Sequence, residues 1–384
     1  MLSTQTTSSR AILHDVPPPR PAPTAAHGYI KGDTVLMHAG SAWPVTVRDL
    51  VDRRDGLVLT MREAGVIAGQ RPSAFIAHEP AQLYRLTTRS GRRIEATANR
   101  PFLTHDGWIP LLELDASDRV AVVTEYPELF GRGDADTTSL KLLAYLTALG
   151  TSGDGATPVI RDVEVHRDVV AAVQAKGDAY VELIEESGTR IRVLGRQDVP
   201  CKTLSYLIVL GAHGVCDRDK AIPDLIFGLR KEKLRLFLNR LFTCDGTPER
   251  SGLICYRSAS IRVVRQVQHL LARFGIASVV GDPGQDAGSA AAALWIDRKP
   301  DVVRFIDQIG FFGDKALQAE FIRAALYDLR EANLPRDRIG SVLFDRVVSI
   351  EETEIAPVYD LTIEGSHNFV ANDFLVHNDG RWRP

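Results

Sequence analysis

The segment Val358–Asn378 reads VYDLTIEGSHNFVANDFLVHN, and it is the most informative stretch of the chain. Apolar residues come in short alternating runs bounded by Gly, Asp or Asn, the signature of several short strands. The run extends upstream through DRVVSIEETEIAP. The same texture fills Tyr29 to about Val123, in DTVLM, GLVLTM, QLYRLTT, RRIEATA and RVAVVT. Between the two regions, from about Ser139 to Arg336, the pattern changes. KEKLRLFLNRLF and SIRVVRQVQHLLARFGI repeat apolar residues at i, i+3, i+4 and i+7, as amphipathic helices do. The expected architecture is an all-β module split by an α/β insertion.

Composition bounds what such a chain can be. Its 384 residues, 45% apolar and 25% charged, suit two or three globular domains. Wholesale disorder and collagen-like repeats are excluded. A net charge of −3 excludes a histone-like polycation. No apolar run approaches the roughly 20 residues of a membrane span, and the N-terminus lacks a signal-peptide core. Cys201, Cys216, Cys244 and Cys255 are spaced too irregularly for zinc and are too few for a disulfide scaffold. A reduced, cytoplasmic setting is expected. Residues 1–28 cluster Pro17, Pro18, Pro19, Pro21 and Pro23 and read as a disordered tail.

An internal repeat lies within the insertion. Leu142–Gly150, LLAYLTALG, superposes without a gap on Leu238–Gly246, LNRLFTCDG; each reads as the last turns of an apolar helix ending at Gly. Two such helices packed together bring their C-terminal ends together. An acid before each Gly would then pair two carboxylates around a divalent cation. The second copy supplies Asp245, whereas the first has Leu149. Around the second copy, Arg230 to Arg273 carries ten cations against three carboxylates, a candidate phosphate-tracking face.

These motifs resemble a known family. YIKGDTVLM with VTVRDLV, IEATANRPFLTHDGWIPLLEL and VYDLTIEGSHNFVANDFLVHN are similar to the sequence blocks of the intein splicing (Hint) domain. DKAIPDLIFGLRKEKLRLFLNRLFTCDG followed by SASIRVVRQVQHLLARFGI resembles the second half of a LAGLIDADG (DOD-type) homing endonuclease, particularly those of replicative-helicase inteins. The resemblance implies a multidomain chain: an all-β Hint horseshoe split by an α/β LAGLIDADG pseudo-dimer of αββαββα repeats. It implies a Hint N-terminal part at 29–130, an endonuclease domain at 135–336, a Hint C-terminal part at 340–378 and a short tail at 379–384.

The resemblance also assigns roles, and several positions depart from them. Splicing starts with a thiol or hydroxyl at the first residue, where this chain has Tyr29. A phenol has a pKa near 10, and its oxygen sits too far along a rigid ring to reach the preceding carbonyl. The alternative thiol position holds Asp360, and all four cysteines fall inside the insertion. The Thr-x-x-His motif retains Thr97 but carries Arg100; a guanidinium does not cycle a proton near neutral pH. Asn378, His377 and His367 all match the machinery for cyclisation of a terminal Asn, where His donates a proton to the leaving amine. The acceptor position is Asp379, which makes ligation implausible.

For DNA cleavage, Asp245 matches one metal ligand and Leu149 breaks the other, with Asp154 the nearest possible replacement. Lys220 matches a lysine placed near such metal sites. Mg2+ is the implied cofactor and double-stranded DNA the implied partner, with Arg230, Lys231, Lys233, Arg235, Arg257, Arg262 and Arg265 as contacts. No membrane contact is expected, host flanks are absent or reduced to short tails, and the chain is expected to be a monomer. Three functions follow: a degenerate self-processing element keeping only cleavage after Asn378, a free-standing DNA endonuclease, and a non-catalytic DNA-binding protein.

Overall fold

The computed structural model describes residues 28–149, 159–160, 162–185, 189–195, 202, 205, 216–281, 291–326 and 338–378. The tail at 1–27, Asp154, Cys201 and Asp379 lie outside the described residues. Two compact units emerge. One contains Met1–Gly40, Pro44–Val123 and Pro335–Pro384; the other contains Ser41–Trp43 and Thr124–Leu334.

The first unit is mostly β. Its main sheet is ordered Ile30–Lys31, Arg93–Ala96, Ala74–Thr88, Val342–Thr362, Arg119–Val123, Phe374–His377, Pro101–Thr104 and Gly107–Pro110. Neighbouring strands pair antiparallel. Val342–Thr362 runs through the centre, pairing with Arg119–Val123 near its start and with Ala74–Thr88 along the rest. Register shifts at Val347/Ser349, Glu352/Ile355 and Ala356/Val358 bend a strand too long to remain flat. One short helix, α1 (Val47–Arg53), is capped by the Thr46 hydroxyl, which accepts from Asp49 N–H. Alternation sends Ile30, Leu86, Ile94, Phe102, Val120, Val122, Leu361, Phe369, Phe374 and Val376 into one core. Residues from both ends of the chain build this core, so neither piece can bury it alone.

The second unit is α/β. Among the described residues its longer helices are α2 (Thr137–Leu149), α3 (Val163–Lys176), α4 (Lys231–Asp245), α5 (Ile261–Ala272), α6 (Lys299–Gln308) and α7 (Asp314–Leu326), with a single short turn of helix at Asp224–Phe227. A four-stranded antiparallel sheet is ordered Gly246–Pro248, Ile254–Ser258, Ala292–Ile296 and Val279–Gly281. From α4 onward the described order is helix, two strands, helix, two strands and then two helices. Before α4, the described order is α2, the two-residue strand Val159–Ile160, α3, then the hairpin Ala179–Glu185 and Thr189–Gly195. Amphipathic spacing explains α5: Val263, Val264, Val267, Leu270 and Leu271 are buried while Arg262 is exposed. Among the described residues no helix is long and apolar enough to cross a membrane.

Candidate active site

The Gly28–Tyr29 peptide is held from several sides. Ile30 pairs with both Ala96 and Tyr359, which seats the first strand between Arg93–Ala96 and the end of Val342–Thr362. Tyr29 N–H donates to Thr97 Oγ1 at 2.8 Å, and Thr97 N–H donates back to Tyr29 O at 3.0 Å. A β-carbon at position 28 would lie 2.5 Å from Arg100 Cα and 2.9 Å from Arg100 N. Only glycine fits there, because the Arg100 backbone lies against it.

Arg100 itself is fully buried. Its Nη1 donates to Gly28 O at 2.7 Å and to Asp360 Oδ1 at 2.9 Å, while the guanidinium lies over the Phe369 ring, 5.1 Å from its centroid. Its Nε and Nη2 are buried without a hydrogen-bond partner. The sequence sets Arg100 and Asp360 aside as eroded positions, but the structure makes them ion-pair partners, with Arg100 on the carbonyl of the junction. The Tyr29 ring stacks on His78, centroids 4.8 Å apart.

At the other junction, strands Asn368–Ala371 and Phe374–His377 form a hairpin whose two turn residues, Asn372 and Asp373, have φ of 47° and 65°. Such two-residue turns suit the strand twist, and Asn and Asp tolerate the left-handed region. The turn brings Asn368 opposite His377 and seats His367 near the C-terminal end of the hairpin. The His367 and His377 rings are near-parallel with centroids 6.3 Å apart, and Trp108 meets the His377 ring edge-on at 5.0 Å. Asn378 is fully buried. Its N–H donates to His367 O at 3.0 Å and its Nδ2 to Ile363 O at 3.4 Å, leaving Oδ1 buried without a partner. Both junctions therefore meet one short segment, Asp360 to Ile363.

Residues 35–378 match the intein splicing domain. The chain belongs to the intein splicing family. It is 27% identical to the replicative DNA helicase DnaB of Rhodothermus marinus, over 91% of this chain and 46% of that protein. It is 31% identical to a DNA polymerase of Thermococcus hydrothermalis, over 41% of this chain and 10% of that protein. The chain spans about half the length of the helicase relatives it matches. Among solved structures it is similar to a DnaB intein from Synechocystis sp. PCC 6803, with 15% identity, 92% of this chain and 99% of that one covered, and a TM-score of 0.34.

A second polar cluster lies in the α/β unit of this intein-family chain. Helices α2 and α4 pack against each other. Lys220 is buried, not a surface lysine; its Nζ pairs with Asp217 at 2.9 Å and donates to Leu146 O at 3.4 Å, in the last turns of α2. Lys315, on α7, donates to Thr243 O at 2.7 Å, Cys244 O at 3.0 Å and Gly246 O at 2.6 Å. It caps the C-terminal end of α4, where orphan carbonyls and the helix dipole favour a cation. Burial pushes the Asp245 carboxyl up to about 8, against the pull of Lys315 and Lys220 and with the help of Asp217. The Tyr256 hydroxyl is buried without a hydrogen-bond partner, and burial together with Asp245 and Cys244 raises its pKa well above the usual phenol value.

This chemistry does not fit a divalent cation held by paired acids. Burial holds the Asp245 carboxyl largely protonated at neutral pH, Asp217 is spent on Lys220, and the α2 end supplies Leu149. Among the described residues no group of three or more His, Cys, Asp or Glu is placed to share a metal.

The basic run around α4 is not one open cationic face. Arg230 and Lys233 both pair with Asp134, at 2.9 and 3.2 Å. The Lys231 ammonium lies over the rings of Phe130 and Phe274, and buried Arg273 donates to Phe227 O at 2.6 Å. Arg240 Nε joins Lys141 and the Tyr145 hydroxyl on Asp168, at 2.9, 2.5 and 2.7 Å. Arg235, Arg257 and Arg262 are exposed, whereas Arg265 is half-buried. Lys315 and Asp168 escaped sequence reading, since neither sits in a motif. A glycine just before the first strand was the readable signal for Gly28.

Proposed function

We propose that this chain is an intein-derived self-processing element whose retained chemistry is cleavage after Asn378. The observation that carries this reading is the buried Asn378, its main chain anchored to His367 and its Oδ1 unpartnered, beside two histidine rings. Asn378 Nδ2 attacks its own carbonyl carbon, forming a C–N bond and breaking the bond to Asp379. Nδ2 loses a proton and the departing amine gains one. A histidine suits this exchange, because its ordinary pKa lies near working pH. The product is a C-terminal succinimide and a free downstream segment. Splicing proper is lost in this reading, since Tyr29 offers no reachable nucleophile and Asp379 no acceptor for an ester or thioester.

Intact-mass measurement tests it. The purified chain, held at mildly acidic pH, should lose residues 379–384, and Asn378→Ala should keep them. A wild-type mass unchanged after prolonged incubation overturns the reading.

A second reading concerns the α/β unit, which we take to descend from a LAGLIDADG pseudo-dimer. Asp245 ends a helix packed on α2, and Lys220 reaches across to Leu146, the placement the repeat in the sequence anticipates. With the Asp245 carboxyl held largely protonated by burial, this unit binds double-stranded DNA without cutting it; Arg235, Arg257 and Arg262 are the contacts. A gel shift that weakens steeply with salt supports this. Mg2+-dependent nicking abolished by Asp245→Asn would instead restore the endonuclease function, with Asp154 the candidate second acid.

A further inference from the structure

Helix α7 is apolar on two faces, and its own unit uses only one of them. Ala319 and Leu326 are buried, and Lys315, on the same face by helical spacing, reaches the carbonyls at the end of α4. Arg323 ties the helix to α6 through Asp307, 2.7 Å away, and also pairs with Glu320 at 3.2 Å. Docked in this way, α7 cannot turn its other face inward. That face presents Leu317 and Phe321, 67% and 79% exposed, with Ala324 and Ala325 exposed one turn further on. These positions recur at helical spacing and form one stripe. A helix that is apolar all round is ordinarily buried all round.

A third apolar residue stands beside the start of this stripe. Asp162 precedes α3, and its Oδ1 accepts from the Glu164 and Val165 N–H groups at 2.8 and 3.2 Å. Its Oδ2 accepts from Asp314 N–H, at the start of α7, at 2.6 Å. One carboxylate thus caps both helices and sets their first turns side by side. Val163, next in the chain, is 60% exposed. An aromatic side chain alone presents about 150–250 Å², so Val163, Leu317 and Phe321 together leave about 350 Å² of apolar surface in water, a patch of the size that marks contact sites.

We propose that this face receives a second copy of the chain, the two α7 helices packing antiparallel about a twofold axis at Phe321. The stripe is self-complementary in that arrangement. Leu317 of one copy falls opposite Ala325 of the other, a large residue against a small one, and Phe321 meets its own counterpart, as an isologous contact requires. Two patches cover about 700 Å², and with their alanine and glutamine borders the contact reaches about 1,000 Å², the lower end for a specific interface. The dimer is therefore reversible. Its charges also suit it. Of the exposed residues of α7 only Asp314 and Glu320 are ionisable, and Glu320 is answered within its own helix by Arg323. A nucleic acid would meet carboxylates here, so this face is separate from Arg235, Arg257 and Arg262. A dimer departs from the monomer expected from sequence, and it is independent of cleavage after Asn378.

Sedimentation velocity on the full chain carrying Asn378→Ala, which keeps its C-terminus intact, tests this. The mass should rise from that of one chain toward that of two between about 1 and 200 µM, the range a small interface implies. Phe321→Glu should move that transition upward in concentration by about tenfold or more, with the thermal midpoint unchanged because the position is exposed. Leu317→Glu and Ala325→Lys should each weaken the dimer. The double variant Leu317→Glu/Ala325→Lys should recover it, because each new carboxylate then faces the other copy's ammonium; losses of purely structural origin would add instead. A chain that stays monomeric over the whole range overturns the inference and gives the face to a different protein. A dimer unmoved by Phe321→Glu, a double variant no better than its singles, or growth beyond two copies overturns it as well, since a twofold contact closes.

Discussion

The two junctions of the β unit hold opposite halves of a reaction site. At Gly28–Tyr29 the peptide is gripped by Thr97 and Arg100, but the side chain that should attack is a phenol stacked on His78. At Asn378 the attacking amide is present, buried and incompletely bonded. One end grips its peptide without a thiol or small hydroxyl beside it; the other holds a side-chain amide beside its own carbonyl. Nucleophiles are single residues and vanish with one substitution. The grip on the peptide is distributed over Gly28, Thr97, Arg100 and Asp360.

The most drastic way to break this contrast is Asn378→Ala, for which release of residues 379–384 should fall to nothing by intact mass. Next, His377→Ala or His367→Ala should slow that release by about 10²–10⁴-fold, the ordinary contribution of a general acid or base. Release as fast as wild type in both variants would leave Asn378 without its neighbours' help. Gly28→Ala sharpens the other side. Forcing a β-carbon against the Arg100 backbone should cost about 1–3 kcal/mol in denaturant unfolding. C-terminal release should stay unchanged.

Asp168→Asn should alter neither junction, and it serves as the control. Burial raises the Asp168 carboxyl, but hydrogen bonds from Lys141, Tyr145 and Arg240 outweigh that and hold it below the usual range. Its stabilisation is therefore present above the unfolded value, near 4, and is lost as pH falls through the lower folded value. The wild-type thermal midpoint should drop on acidification below pH 4, and the variant's should drop less. At neutral pH the variant should be less stable by about 2 kcal/mol.

Much of the β unit was legible because alternation and turn residues are local signals. DTVLM, RRIEATA and DFLVHN each carry their own period, and the core positions follow from it. The amphipathic face of α5 was readable for the same reason. What escaped depends on partners far apart in the chain. Arg100 looked like a lost histidine because its meaning lies in Asp360, and the burial of Lys220 could not be read because Leu146 O and Asp217, its partners, are not marked by any motif. The basic run misled in the opposite direction: a count of charges ignores Asp134, Asp168 and the aromatic rings that consume several of them.

Gly28 has a consequence for portability. Because the Arg100 backbone leaves no room for a β-carbon at position 28, the polypeptide fused ahead of Tyr29 must end in glycine for that grip to close as it does here. Moved behind any other residue, the same β unit would fold around a distorted joint. The space beneath one missing methyl group thus acts as a rule of address, limiting which residue can stand ahead of Tyr29 with this joint intact.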